Sequence, residues 1–135
     1  MDTIQILYNT CYGGFKFSDV FAFELGNRIR EAVGHSYKHY RYRDHPEAIK
    51  LFLEKGCEWS SGSCSKLKIK EIPMYLKDYY DIREYDGKEE ISINFSRAIE
   101  DATDTFLEDP TPEKTKWLRD IVNKIKSSRN AWYKR

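Results

Sequence analysis

The chain reads as an α+β protein with a small mixed β-sheet, covering helices and a C-terminal helical hairpin. Three observations carry that reading. Short alternating stretches at 3–8, 66–72 and 79–85 have the two-residue period of strands. Between them lie segments with apolar residues every three or four positions, opened by capping residues and closed by glycine. After residue 95 the helical period continues almost to the end.

In chain order, "TIQILY" sets Ile4, Ile6 and Tyr8 against Thr3, Gln5 and Leu7, as a strand does. A glycine turn follows, and then "FSDVFAFELGNRIREAVG" offers Ser18 as N-cap, with Phe21, Leu25, Ile29 and Ala32 on one face. The predicted helix runs over 18–33 with Gly34 just past its end, and Gly26 weakens its interior. "HSYKHYRYRDH" lacks a helical period and reads as a loop or edge strand. "PEAIKLFLEKG" predicts a helix over 46–55, because Pro46 suits a first turn and Gly56 a terminus. "KLKIKEIP" alternates apolar and basic residues until Pro73 stops it, and "YYDIREYDG" is a strand ending at an Asp86-Gly87 turn. Ile91, Phe95, Ala98, Ile99, Ala102 and Phe106 predict a helix despite the alternation in "ISINF". Thr111-Pro112-Glu113 then starts a last helix carrying Trp117, Leu118, Ile121, Val122, Ile125 and Trp132 along one stripe.

At 135 residues the chain is expected to form a single domain, an α+β core over 1–95 and a helical extension over 96–135 that serves as an oligomerisation arm. Charged residues at 33% and apolar ones at 40%, with no long apolar run, argue against a membrane protein. "MDTIQILYN" does not have the pattern of a signal peptide, so the expected location is cytoplasmic. Three cysteines, Cys11, Cys57 and Cys64, form no disulfide framework and fit a reducing compartment.

The net charge of +1 conceals a division. From Ala98 to Glu113 there are six acids and no bases, and from Lys114 to Arg135 eight bases against Asp120 alone. Packing of the acidic helix on the basic one satisfies this split and buries the Trp117 to Trp132 stripe, within a chain or between subunits of a homo-oligomer. Nucleic acid is a less favoured partner for the basic helix.

The aromatic content, ten Tyr, seven Phe and three Trp, suits recognition surfaces. "NTCYGGFKFS" puts Gly13 and Gly14 between a strand and a helix, where free backbone N–H groups can hold an anion. It matches neither a P-loop nor a dinucleotide fingerprint, and a plain tight turn remains the alternative. Tyr37, Lys38, Tyr40, Arg41, Tyr42 and Arg43 interleave rings with cations, which fits a nucleotide, while a protein interface has the same look. The candidate ligand-binding set is therefore Tyr12, Gly13, Gly14, Phe15, Ser18, Tyr40, Arg41 and Arg43.

His35, His39 and His45 with Cys57 and Cys64 lack close zinc-type pairing, so no metal or other cofactor is expected. Asp86 and Glu89 are the only acid pair worth considering for catalysis, and Cys11, beside the glycine turn and a helix N-terminus, is the candidate nucleophile. No nucleophile and base relay accompanies them, and the expectation is a non-enzymatic protein.

"NTCYGGFKFS", "LKIKEIP" at 67–73 and "IREYDGKEE" at 82–90 together resemble a group of small proteins common in bacteriophages and large DNA viruses. In that group a CYGGF-x-x-S start, an Arg/Asp-Pro element, an L-K-I-x-E-I-P strand and a YDG-x-E element recur in this order. Here the second element is "RDHPE", with a histidine between acid and proline. The resemblance covers roughly residues 4–95 and implies a viral origin, with no activity attached. Combined with the loop chemistry, it leads to the expectation of a viral binding protein that sequesters a small anionic, nucleotide-type signal of host defence. A module that blocks a host or viral protein is the alternative.

Overall fold

The computed structural model describes residues 3–108 and 110–133, and their side chains except at 113, 114, 117 and 131–133. The fold is α+β. It divides into two compact units, one formed by residues 1–74 with 82–92 and the other by 75–81 with 93–135.

In the first unit, β1 (Thr3–Asn9) pairs antiparallel with β2 (Leu67–Pro73) in a register running from Thr3 opposite Pro73 to Asn9 opposite Leu67. Alternation sends Leu7, Leu67 and Ile69 to one face. There they join a core with Phe17, Phe21, Leu25, Val33, Ala48, Ile49 and Leu51. That core is built on α1 (Asp19–Ile29) and α2 (Pro46–Lys55), with α3 (Cys57–Ser60) beside them. Ile6 and Ile72, on the opposite sheet face, are also fully buried.

Both helix starts follow local chemistry. The Ser18 hydroxyl accepts from the Phe21 N–H at 3.1 Å and donates to the Trp59 carbonyl at 2.6 Å. At α2, Pro46 occupies the first turn and His45 Nδ1 accepts from the Glu47 N–H at 3.1 Å. Helix α1 ends earlier than its pattern predicts. Arg30 adopts the left-handed conformation at φ 57°, and both its N–H and that of Glu31 return to the Gly26 carbonyl. The reversed chain lies close over Gly26, where a β-carbon would stand 3.1 Å from the Glu31 carbonyl oxygen and 3.8 Å from Val33 Cγ2. Gly26 therefore lets Val33 turn back into the core.

Three expectations need correction. The segment read as a loop or edge strand contains a 3₁₀ helix, Ser36–Tyr42. The stretch at 79–85 does not complete a mixed sheet with β1 and β2. Instead β3 (Tyr80–Tyr85) and β4 (Lys88–Ile93) form a separate two-stranded sheet. Asp86 at φ 48° and Gly87 at φ 88° make the two-residue turn favoured by hairpins, which returns the chain at once into a second strand. Ile91 and Ile93 are buried strand residues, and the helix begins only after Asn94, whose side chain accepts from the Arg97 N–H at 3.0 Å.

In the second unit, α4 (Phe95–Glu108) and α5 (Pro112–Tyr133) form the expected helical hairpin. A short 3₁₀ turn, Met74–Leu76, leads into its supporting segment. The Tyr75 hydroxyl donates to the Lys124 carbonyl at 3.0 Å and also bonds Ser128 Oγ, while Tyr79 donates to Asp101 at 2.8 Å. Ile125 is almost completely buried, with Leu118, Ile121 and Val122 half-buried. Trp117 and Trp132 of the predicted stripe lie outside the described side chains. Among the described residues, no ion pair joins the acids of α4 to the bases of α5. The two helices meet through apolar residues such as Ala98 and Ile125, and the half-buried Asp101 of α4 is taken by the Tyr79 hydroxyl.

Candidate functional site

The glycine turn meets the chain at two distant places. Gly13 has φ 137° and Gly14 φ 98°, and a β-carbon on Gly13 would fall 2.4 Å from the Cys64 carbonyl oxygen. A β-carbon on Gly87 would fall 2.2 Å from the Gly14 nitrogen and 2.6 Å from that of Gly13. Three backbone segments thus touch where no side chain fits. The Gly13 N–H donates to the Asp86 carbonyl at 3.1 Å, so it holds the hairpin turn and is not open to an anion.

Behind this junction lies a closed polar network. Asn9 is fully buried. Its Nδ2 donates to the carbonyls of Cys11 at 2.5 Å and Gly87 at 2.8 Å, and its Oδ1 accepts from the Cys11 and Lys66 N–H groups. The Asn9 backbone N–H donates to Glu89 Oε1 at 2.8 Å. Arg43 grips the same carboxylate with both arms, Nη1 to Oε1 at 2.9 Å and Nη2 to Oε2 at 2.7 Å, and Nη1 also donates to the Leu7 carbonyl at 3.0 Å. The guanidinium carbon lies 4.2 Å from the Phe15 ring centroid. Such a bidentate, stacked arginine is fully engaged.

This placement revises the sequence-derived site. Gly13 and Gly14 are packing elements, Phe15 is the platform beneath Arg43, and Ser18 caps α1. Arg43, predicted to hold a ligand, is buried against Glu89 because an unpaired carboxylate there would be costly. The turn thus brings Tyr12, Gly13, Gly14, Phe15 and Arg43 into one region. Tyr40 and Arg41 are exposed on the 3₁₀ helix, and among the described residues no hydrogen bond, ion pair or ring contact links them to the glycine turn. Asn9 and the Arg43–Glu89 pair were missed, since nothing local marks partners 46 positions apart.

The residues considered for metal or catalysis also have separate roles. His39 Nδ1 accepts from the Phe17 N–H at 3.1 Å, and its Nε2 must carry the proton that meets the Gly34 carbonyl at 3.2 Å. Burial lowers its pKa below the ordinary value of 6.5. His45 caps α2, and His35 stacks on Tyr37 at 5.8 Å. Among the described residues no three His, Cys, Asp or Glu side chains are grouped to hold a metal. Asp86 sits in the hairpin turn, Glu89 in the ion pair, and the Cys11 N–H bonds Asn9.

One cleft opens beside this scaffold. It has a volume of about 500 Å³ and is lined by Tyr8 and Thr10 of the β1 end and by Arg83, Glu84, Tyr85, Lys88, Glu89 and Glu90 of the hairpin. Tyr85 is 73% exposed, and the Tyr12 ring stands 5.7 Å from Lys88 Nζ. Of the three carboxylates, Glu89 is neutralised by Arg43. What remains is a concave surface with tyrosine rings, the two cations Arg83 and Lys88 and the two carboxylates Glu84 and Glu90, able to stack a flat group and to offer it both cationic and acidic partners. Nothing in the sequence marks it, because Arg83 lies in an ordinary strand pattern and Lys88 opens a segment whose spacing predicts a helix. No helix among the described residues is long and apolar enough to cross a membrane. Compared with known proteins, the chain matches no family model, no curated protein and no solved structure.

Proposed function

We propose that this is a non-enzymatic binding protein of viral origin that takes up a small anionic, nucleotide-type ligand and thereby sequesters a signal of host defence. The observation that supports the reading is the cleft of about 500 Å³ bearing Tyr8, Tyr85, Arg83 and Lys88. A base or similar ring stacks on tyrosine, and its phosphate lies between the guanidinium and the ammonium. The glycine junction and the Asn9–Arg43–Glu89 network act as the rigid support of this rim, and Arg83, Tyr85 and Lys88 of the stretch "IREYDGKEE" form the rim itself.

Native mass spectrometry of the purified protein tests this directly, since a retained nucleotide appears as a releasable mass and the expected homo-oligomer is read from the same spectrum. Thermal shifts with nucleoside phosphates provide the second measurement, because only a ligand that prefers the native state raises its melting temperature. Arg83→Ala and Lys88→Ala are each expected to weaken binding by about tenfold or more while leaving the fold intact. Unchanged affinity in both variants would refute the placement.

A second reading, a module that blocks a host or viral protein, has its own support. Phe23 and Leu53 are 72% and 62% exposed. Phe23 borders an open groove of about 680 Å³ along the end of α1, lined also by Ala22, Asn27 and Arg30. Apolar side chains left this bare suit a protein partner. Capture by immobilised protein that Phe23→Ser abolishes, with no nucleotide effect on melting, distinguishes this reading from the first.

A further inference from the structure

Helix α5 buries one side and presents the other. Ile121, Val122 and Ile125 mark the packed side, and at about 100° per residue Lys116, Arg119, Asn123, Lys126 and Asn130 lie together on the far side. All five are exposed. The row spans about 21 Å at about 1.5 Å per residue, with a basic or amide group at nearly every turn. Asp120 at its edge is the only acid on α5 among the described side chains. Among those side chains none of its three cations belongs to an ion pair, and the acids of α4 are not turned toward them in salt bridges.

We propose that this outer row of α5 docks on the phosphate backbone of double-stranded DNA. The proposal is independent of the cleft and rests on the second unit alone. A straight row of cations matches a linear array carrying about one negative charge per 1.7 Å of duplex, and counterion release drives the association. Asn123 and Asn130 add amides that donate to phosphate or reach base edges. A single strand is a poorer fit, because the row contains no aromatic ring on which an unpaired base stacks. An anionic membrane is also poorer, because interfacial helices insert an apolar face, and here that face is occupied within the hairpin. Duplex RNA is a poorer fit because its deep, narrow major groove does not admit a helix between the phosphate rows, whereas the major groove of B-DNA, about 12 Å wide, does.

The test is fluorescence polarisation of a labelled mixed-sequence DNA duplex with the full chain, titrated between about 50 and 200 mM salt. The native protein is expected to show an affinity that falls linearly with the logarithm of salt. The triple variant Lys116→Gln/Arg119→Gln/Lys126→Gln should bind at least tenfold more weakly and lose about 2.7 from the slope, about 0.9 for each phosphate contact. Glutamine keeps helix propensity, so its far-ultraviolet circular dichroism should match the native protein. The control Lys50→Gln/Lys55→Gln, on α2 of the other unit, should retain native binding. An absent interaction, an unchanged slope in the triple variant, an equal loss in the control, or preferential binding to single strands, duplex RNA or phosphatidylserine vesicles each overturns the proposal.

Discussion

Replacing Arg43 by alanine is expected to unfold the protein more readily rather than to weaken a ligand contact selectively. In the native structure the Glu89 and Arg43 side chains are only 4% and 10% exposed. Arg43→Ala removes the hydrogen bonds at 2.9 and 2.7 Å to the carboxylate and the one at 3.0 Å to the Leu7 carbonyl. Glu89 is then left with the single Asn9 N–H at 2.8 Å. Stranding a buried charge in this way costs about 3–5 kcal/mol. That is a large share of the roughly 5–15 kcal/mol that holds a domain together, and it corresponds to a melting temperature lower by on the order of 10–20 °C. Urea unfolding followed by circular dichroism measures it, with Arg41→Ala as the comparison. Arg41 is exposed and should change stability by no more than about 0.5 kcal/mol. A double variant that also replaces Glu89 by leucine should be less destabilised than the sum of the single changes, because no orphaned charge remains. If Arg43→Ala instead keeps the native urea midpoint while ligand binding disappears, the network is not a support and Arg43 is a ligand residue after all.

Other expectations follow from the same geometry. Gly87→Ala should destabilise by more than about 2 kcal/mol, because left-handed strain adds to a collision with the Gly13 and Gly14 backbone, whereas Gly14→Ala, with nothing within 4 Å, should cost about 1 kcal/mol; paired urea titrations compare them. Stability should fall with acid as His39 titrates. Its folded pKa is lowered, so the unfolded chain takes the proton first. The loss begins near pH 6.5 and levels off below the folded value. His39→Gln should flatten that part of the pH profile of the urea midpoint. Ser18→Ala removes both the α1 cap and the bond to Trp59 and should cost about 1–2 kcal/mol, read from thermal melts.

Much of the fold is legible where a residue acts on its own neighbours. Ser18 and Pro46 start helices by satisfying or lacking nearby N–H groups, and Asp86-Gly87 turns the chain within two residues. The return strand β4 is ambiguous in the sequence because Ile91, followed by Phe95 and Ala98, satisfies a four-residue period as well as a two-residue one. Only the tight turn before it decides between them. Gly26 looks like a flaw in α1 until Val33 is seen folding back over it. The site was least legible. Tyr and Arg adjacent in sequence suggested a ligand loop, yet Arg43 faces inward because Glu89 arrives from a hairpin far along the chain. Arg83 and Lys88 become neighbours of Tyr8 only through tertiary structure. The charge division at the C-terminus is plain in the sequence, but among the described residues the helices meet through Ile125 and its apolar neighbours and not through ion pairs.

The glycine junction also bears on the order in which the protein assembles. Ser65 reaches Gly14 across 51 positions and Asn9 reaches Gly87 across 78, so closing the junction requires three remote stretches to arrive together. Sheet pairing of β1 with β2 and formation of the hairpin turn each bring only part of it into place. Apart from the Asn9 and Ser65 side chains the contact is main chain against main chain, and the fit is gained only when the remaining entropy of closure has been spent. The junction is therefore expected to close late in folding, and changes at Gly13 or Gly87 to raise the unfolding rate while leaving the folding rate nearly unchanged, which stopped-flow kinetics of the variants measures.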